Sequence, residues 1–361
     1  MRSKGKNQSV YQIIRDYDIS FSDEVTSNEK DALAIAEEIL GDTGGDAYFD
    51  KDKSNAIKRS KLIKALPWNS KPPIANDIKE AQVILDKYHY GMNTVKQIIL
   101  EQLAMLDRNP KTSNILCFVG PPGTGKITIF AAIAEALGRP KATINCQSID
   151  SAFVLNGSSP QWNGSDAGMM IKAIVSAGSF FAAVLLDEID KLGNSNSGPY
   201  SNAESGLLQL LDDQKSRYVD HFLGVPIDLS GILFVATAND ENKISAPLRD
   251  RMQIIKLGSY TVKEKEEIVT KYIIPELFAE CNVKPNELIF SDSAIKAIVK
   301  SDNEAGVRRI KQLAKSAFAK GLYLIKMNDL VDPLVVTDKY ITEVLKNLDS
   351  TMGHQKIGFC L

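Results

Sequence analysis

One seven-residue stretch, Gly120-Pro121-Pro122-Gly123-Thr124-Gly125-Lys126, constrains the rest of this chain most. It follows the apolar run Ile115–Val119 and precedes the alanine-rich run Ile129–Leu137, so the order is strand, glycine-rich turn, helix. The glycines let the backbone fold back so that its N–H groups converge on an anion, and the following helix adds its positive N-terminus. Lys126 would reach the outer phosphates. The pattern G-x-x-x-x-G-K in this setting is a phosphate-binding loop. One position departs from it. The residue after the lysine should carry a hydroxyl for Mg²⁺, but Ile127 stands there, and Thr128 lies one residue late, about 100° round the helix. Nucleotide binding is expected; tight placement of Mg²⁺ is not.

From Asn114 to Leu257 short apolar runs alternate with helical patterns. The predicted strands are Leu116–Val119, Lys141–Asn145, Ala182–Leu186, Ile232–Thr237 and Gln253–Lys256. Near-continuous apolar strands of this kind indicate a parallel sheet covered on both faces. The predicted helices between them are Thr128–Leu137, Gly168–Ala177 and Asn202–Asp212. Upstream, helices are predicted from Asn76 to Lys87 and from Val95 to Leu106. Beyond Tyr260 the pattern becomes helical. Thr261 and Glu264 form a capping box, and helices follow at Ser291–Lys300, Glu304–Ile325 and from Thr337 to about Leu348. The fold class is therefore α/β: a parallel sheet flanked by helices, then a small, mostly helical domain. Residues 1–60 read as a divergent extension with a short helix over Asp31–Leu40, 61–112 as a helical lead-in, 113–258 as the α/β domain, 259–348 as the helical domain and 349–361 as a flexible tail.

Net charge is −2, so no basic field points to nucleic acid. The exception is local: Lys51 to Lys64 holds six Lys or Arg against Asp52 alone, and reads as a solvated helix face or linker. The four cysteines are scattered, which argues against disulfides and zinc and suits a reducing compartment. Neither a signal peptide nor a membrane span is visible, so the expected location is cytoplasmic.

Chemistry is expected at the ends of two predicted strands. Asp187 and Glu188 close an apolar strand; Asp187 would hold Mg²⁺, directly or through water, and Glu188 would act as general base on the attacking water. Asn239 follows another strand, where its amide would orient that water. Arg249 and Arg251 precede the last strand, and an arginine suits the charge that develops on a transferring phosphoryl group.

Together these stretches resemble the AAA+ ATPase module of the Lon protease family. The resemblance rests on Leu66–Asn69, His89–Gly91, Gly120–Lys126, Ala136–Arg139, Leu185–Lys191, Asp220–Phe222, Val225–Ser230, Ala236–Asn239, Pro247–Met252, Gly258–Thr261 and Glu304–Arg308. It covers roughly residues 61 to 348 in order. It implies an AAA+ P-loop NTPase with a helical lid, ATP and Mg²⁺ as ligands, and a hexameric ring acting on protein. His89 and Tyr90 would line the adenine pocket and Asn239 would be the first sensor. Arg251, with Arg249 a weaker candidate, would be the finger reaching a neighbouring protomer's nucleotide, and Arg308 the second sensor. Trp162 sits where the family carries the aromatic of a loop gripping a threaded polypeptide; Asn163 replaces the aliphatic residue beside it, and Gly157, Gly164 and Gly168 would make the loop mobile. The family's serine–lysine peptidase domain has no counterpart after the helical region, so no proteolysis is expected from this sequence alone; a separate protease is an open option. The activity implied is a ring ATPase that unfolds, translocates or remodels protein. The alternative is a nucleotide-binding scaffold or regulator with weak or no hydrolysis, supported by Ile127. A DNA-linked AAA+ machine is disfavoured by the lack of a basic patch.

Overall fold

The computed structural model describes residues 50–111, 115–193, 203–284, 286–327 and 333–353, together with Ala34 and Glu37. Of the helix expected over Asp31–Leu40 only Ala34 and Glu37 are described, both helical, and the end of the tail lies outside the described residues. In chain order the elements begin with α1 (Asp50–Ala65), α2 (Ile78–Tyr88), α3 (Asn93–Arg108), β1 (Ile115–Val119), α4 (Lys126–Ala136), β2 (Lys141–Asn145), α5 (Ala152–Asn156) and α6 (Met169–Ala177). There follow β3 (Ala183–Asp187), α7 (Ala203–Leu211), β4 (Tyr218–Val219), β5 (Pro226–Ile227), β6 (Leu233–Ala238), α8 (Ala246–Arg249) and β7 (Met252–Lys256). The C-terminal part adds α9 (Val262–Ile268), α10 (Ile274–Cys281), β8 (Leu288–Phe290), α11 (Asp292–Lys300), α12 (Arg308–Met327), β9 (Leu334–Val336) and α13 (Asp338–Gly353).

The chain divides into two compact units that are not contiguous in sequence. One gathers the described residues up to Gln82 with 97–119 and 130–255; the other gathers 83–96, 120–129 and the described residues from Lys256 onward.

In the first unit the sheet has the order β2-β3-β6-β1-β7. β2–β3, β3–β6 and β6–β1 pair in parallel. β1 and β6 are buried at every residue, which is why they read as unbroken apolar runs. The register Leu186↔Ala236 aligns the carboxyl ends of β3 and β6, so that Asp187 and Thr237 become neighbours. The basic run belongs to α1, a single helix that crosses residue 60. Ala56, Ser60 and Ile63 face inward while Lys58, Lys61 and Lys64 stay outside.

The second unit has its own core around Val269, Ile273, Leu277, Ile298, Ile310, Ala314 and Phe318. The capping box at Thr261 forms: its hydroxyl accepts the Glu264 N–H, and the Glu264 carboxylate accepts the Thr261 N–H at 2.8 Å. Between α9 and α10 the helix widens into a π turn over Val269–Ile273. Pro275, at the start of α10, has no N–H to give the preceding turn, and the wider turn accommodates it. β8 and β9 pair in parallel; the sequence pattern predicts a short strand at Val335–Val336, within β9, but not its partner β8.

Candidate functional site

In the second unit the glycine-rich loop is clasped by segments distant in sequence. Gly123 and Gly125 take φ of +79° and +91°. A Cβ at Gly125 would lie 2.6 Å from His89 Cε1, and one at Gly306 would lie 2.4 Å from the Pro122 carbonyl oxygen. Both contacts therefore require glycine. Val307 N–H donates to the Gly123 carbonyl at 3.0 Å, and Arg308, the first residue of α12, packs its backbone and Cβ against Gly123. Tyr260 Oη donates to the Thr124 carbonyl at 3.1 Å, and its own N–H donates to Ala305. Burial, with Glu264 nearby, pushes the Tyr260 phenol up to about 12, so it stays a donor. Sequence reasoning gives Tyr260 no role of its own beyond its place in the Gly258–Thr261 stretch, because its partner Thr124 is 136 residues away.

Lys126 Nζ donates to the Gly120 and Pro121 carbonyls at 2.6 and 3.0 Å. Thr124 is fully buried and its hydroxyl donates to Pro121. His89 is buried; its Nε2 has no hydrogen-bond partner among the described residues. Desolvation and the Lys96 ammonium hold His89 down at about 4, against the opposing hydrogen bond with the Thr128 backbone, so the imidazole is neutral at pH 7. Lys96 Nζ in turn donates to the His89 carbonyl and to Asp86, each at 2.6 Å. Tyr90 packs on the core of this unit, with Lys271 Nζ 5.5 Å from its ring centroid.

The loop offers an anion its backbone amides and an ammonium, which fits a phosphate chain. It fits a metal less well. Ile127 is exposed and has no oxygen, and the Thr128 hydroxyl donates back to the Gly125 carbonyl at 2.8 Å. Among the described residues no group of three or more His, Cys, Asp or Glu could hold a metal ion.

In the first unit Asp187, Glu188, Thr237 and Asn239 come together at the ends of β3 and β6. Thr237 is buried and ties the two acids: its hydroxyl donates to Asp187 Oδ1 and accepts the Glu188 N–H at 3.0 Å. Glu188 has φ +55°, which for a non-glycine residue stores strain and often marks a functional position. Its Oε1 accepts from Lys191 Nζ at 2.9 Å and stands 3.5 Å from Asn239 Nδ2. Sequence reasoning placed the acids and the amide but not Thr237, which reads as one more strand residue.

Arg251 is exposed after α8 and donates to the Pro247 carbonyl at 3.1 Å; Arg249 is half-buried. Trp162 is 51% exposed on the loop between α5 and α6, edge-on to Phe153 with ring centroids 4.8 Å apart. Phe153, itself 47% exposed, continues as an edge contact to His221. Asn163 is the next residue on that exposed loop tip. The expected mobility of three glycines needs correction. A Cβ at Gly168 would lie 2.1 Å from the Leu155 carbonyl oxygen, and one at Gly157 would lie 2.6 Å from Asp220 Oδ1. These two glycines are imposed by tight packing at the loop's neck, and only Gly164 faces open space.

Comparison with known proteins identifies the architecture. The sequence model of the ATPase family associated with various cellular activities (AAA) matches residues 116–259. The chain is 41% identical over 253 residues to a Lon protease of Lawsonia intracellularis, covering 69% of this chain and 30% of that protein. It is 37% identical over 280 residues to Lon protease 4 of Sorangium cellulosum, covering 76% and 35%. It is 38% identical over 258 residues to a mitochondrial Lon protease homolog of Dictyostelium discoideum, covering 71% and 27%. The chain thus spans about a third of the length of these curated relatives. No described helix is long and apolar enough to cross a membrane.

Proposed function

Because the chain carries a Lon-like AAA+ module, we propose that it is an ATPase that uses nucleotide binding and hydrolysis, in a homo-oligomeric ring, to unfold, translocate or remodel polypeptides. The observation that carries this reading is the clasp of Val307 and Arg308 on the glycine-rich loop. It makes a segment of the helical unit responsive to whatever the loop holds. In this reading the loop amides and Lys126 hold the β- and γ-phosphates, and His89 and Tyr90 line the base pocket. Asp187 supplies the carboxylate for Mg²⁺, which when bound neutralises phosphate charge. Glu188 takes a proton from the attacking water, Asn239 orients that water, and Arg308 follows the state of the phosphates. Arg251 serves the nucleotide of an adjoining protomer; a finger acting in trans requires a closed heterologous ring, and a hexamer is the ring proposed. Trp162 and Asn163 present the loop that contacts the protein substrate, and a cytoplasmic setting fits such a client.

A second reading, a nucleotide-binding scaffold with little turnover, is favoured by Ile127, which presents a hydrocarbon where a metal-binding hydroxyl would stand. Mg²⁺-dependent hydrolysis by wild type, Glu188→Gln and Ile127→Thr separates the two. The motor reading expects wild-type turnover well above Glu188→Gln, with a further gain in Ile127→Thr. Wild type equal to Glu188→Gln, with activity only in Ile127→Thr, would establish the scaffold.

A further inference from the structure

The basic run of α1 has no part in the chemistry above, yet two residues of that helix grip the loop that carries Trp162 and a third holds the turn beneath it. Asn55, Lys58 and Arg59 are spaced i, i+3, i+4 and so share one helix face. Asn55 Nδ2 donates to the Pro160 carbonyl at 2.8 Å and to Ser165 Oγ at 3.1 Å, which are the two sides of the loop tip. Lys58 Nζ pairs with Asp166 at 2.9 Å and lies 5.6 Å from the Phe222 ring centroid. Asp166 also pairs with Lys172 of α6 at 2.8 Å. Its backbone N–H donates to Ser158 Oγ and its carbonyl accepts the Ser158 N–H, each at 3.1 Å, so it closes the neck of the loop. Arg59 donates to the Leu223 carbonyl at 2.9 Å, on the turn that follows Asp220. Asp220 is fully buried and accepts the N–H groups of Gly168, Phe222 and Leu223 at 2.8, 2.9 and 3.0 Å. The helix therefore reaches the tip, the neck and the turn beneath the neck, with one side chain for each.

We propose that α1 is a strap that sets the pose of the Trp162 loop, with Asn55, Lys58 and Arg59 as positioning residues, so that the segment entering the ATPase core from its N-terminal side controls how the loop meets polypeptide. The proposal rests on the reading of that loop as the substrate contact. Its physical basis is the division of labour in the loop. Among the described residues Trp162 has Phe153 as its one aromatic neighbour, and it is half exposed, so its own packing fixes it weakly. The polar ties to α1 supply what the missing core does not. Each tie is modest alone, but those of Asn55 and Lys58 converge on a segment of under ten residues and remove its freedom together.

The chain has two tryptophans, Trp68 and Trp162, so protein labelled with 5-fluorotryptophan gives two ¹⁹F resonances, assigned with Trp162→Phe. Trp68 donates to the Ile63 carbonyl at the end of α1 and reports on folding there. In the full-length double variant Asn55→Ala/Lys58→Ala the Trp68 resonance should hold. The Trp162 resonance should shift and narrow, ATP turnover should stay within about twofold, and unfolding of a tagged protein should fall roughly tenfold. Lys58→Arg, which keeps the ion pair, should leave the Trp162 signal in place. Should the double change also move Trp68, the single exchange Lys58→Gln at that half-exposed side chain is the milder variant. A Trp162 resonance unmoved in every variant overturns the strap and leaves the proposed function standing. A resonance that moves while unfolding persists supports the strap and overturns the loop as the substrate contact.

Discussion

His89 is held far from its ordinary chemistry. Its neighbours hold it neutral, at about 4 instead of 6.5, a displacement that corresponds to about 3 kcal/mol. In the unfolded chain the imidazole gains its proton as pH falls through 6.5, whereas in the folded chain it resists until about 4. The unfolded state therefore binds more protons between these values. The stability from the neutral histidine is complete above 6.5 and is lost as pH falls towards 4. Denaturant titrations at pH 7 and pH 5 should show wild type losing about 2 kcal/mol more than His89→Gln. Equal losses would mean that His89 is solvated. The residues proposed to carry chemistry are legible because the spacing of the loop, and of acids and amide at strand ends, follows from what phosphate chemistry requires. Thr237 and Tyr260 are not: each is an ordinary residue until its distant partner is known. The functional weight of Gly157 and Gly168 was misread as mobility for the same reason, since their close contacts are with Asp220 and the Leu155 backbone.

At the scale of elements, the segment Asp302–Val307 does the work of an element although it is neither helix nor strand. The sequence pattern starts the long helix at Glu304, but α12 begins at Arg308. The intervening backbone is spent otherwise: Glu304 N–H on Asp302, the Glu304 carbonyl on Lys265, the Ala305 carbonyl on Tyr260, Val307 N–H on Gly123. Lys265 and Asp302, both buried, form an ion pair at 3.4 Å that anchors this segment. Removing one partner leaves the other charge buried and alone, a loss of about 3–5 kcal/mol. Asp302→Ala should lower the melting temperature of the chain and weaken binding of a fluorescent ADP analogue several-fold by misplacing Arg308. Unchanged affinity in a folded variant would detach the segment from the loop's function. The strands and the Thr261 cap were readable because burial periodicity and capping are local signals. α1 was read as a solvated face or linker because its partners lie 105 and 110 residues away, beyond any local pattern.

For the whole molecule, the sequence suggested successive domains, whereas the compact units interleave: residues 83–96 and 120–129 cluster with the C-terminal helices. Close approaches such as Gly306 on Pro122 and Gly125 on His89 build that grouping, and no periodicity encodes them. The central claim is that hydrolysis combines Glu188 of one protomer with Arg251 of the next. Mixing two inactive full-length variants, Glu188→Gln and Arg251→Ala, tests it most directly. Random assembly places an intact acid opposite an intact arginine at about a quarter of the interfaces of a closed ring. The account predicts ATPase activity that rises on mixing to about that fraction of wild type. A mixture no more active than the sum of its two separate components contradicts it.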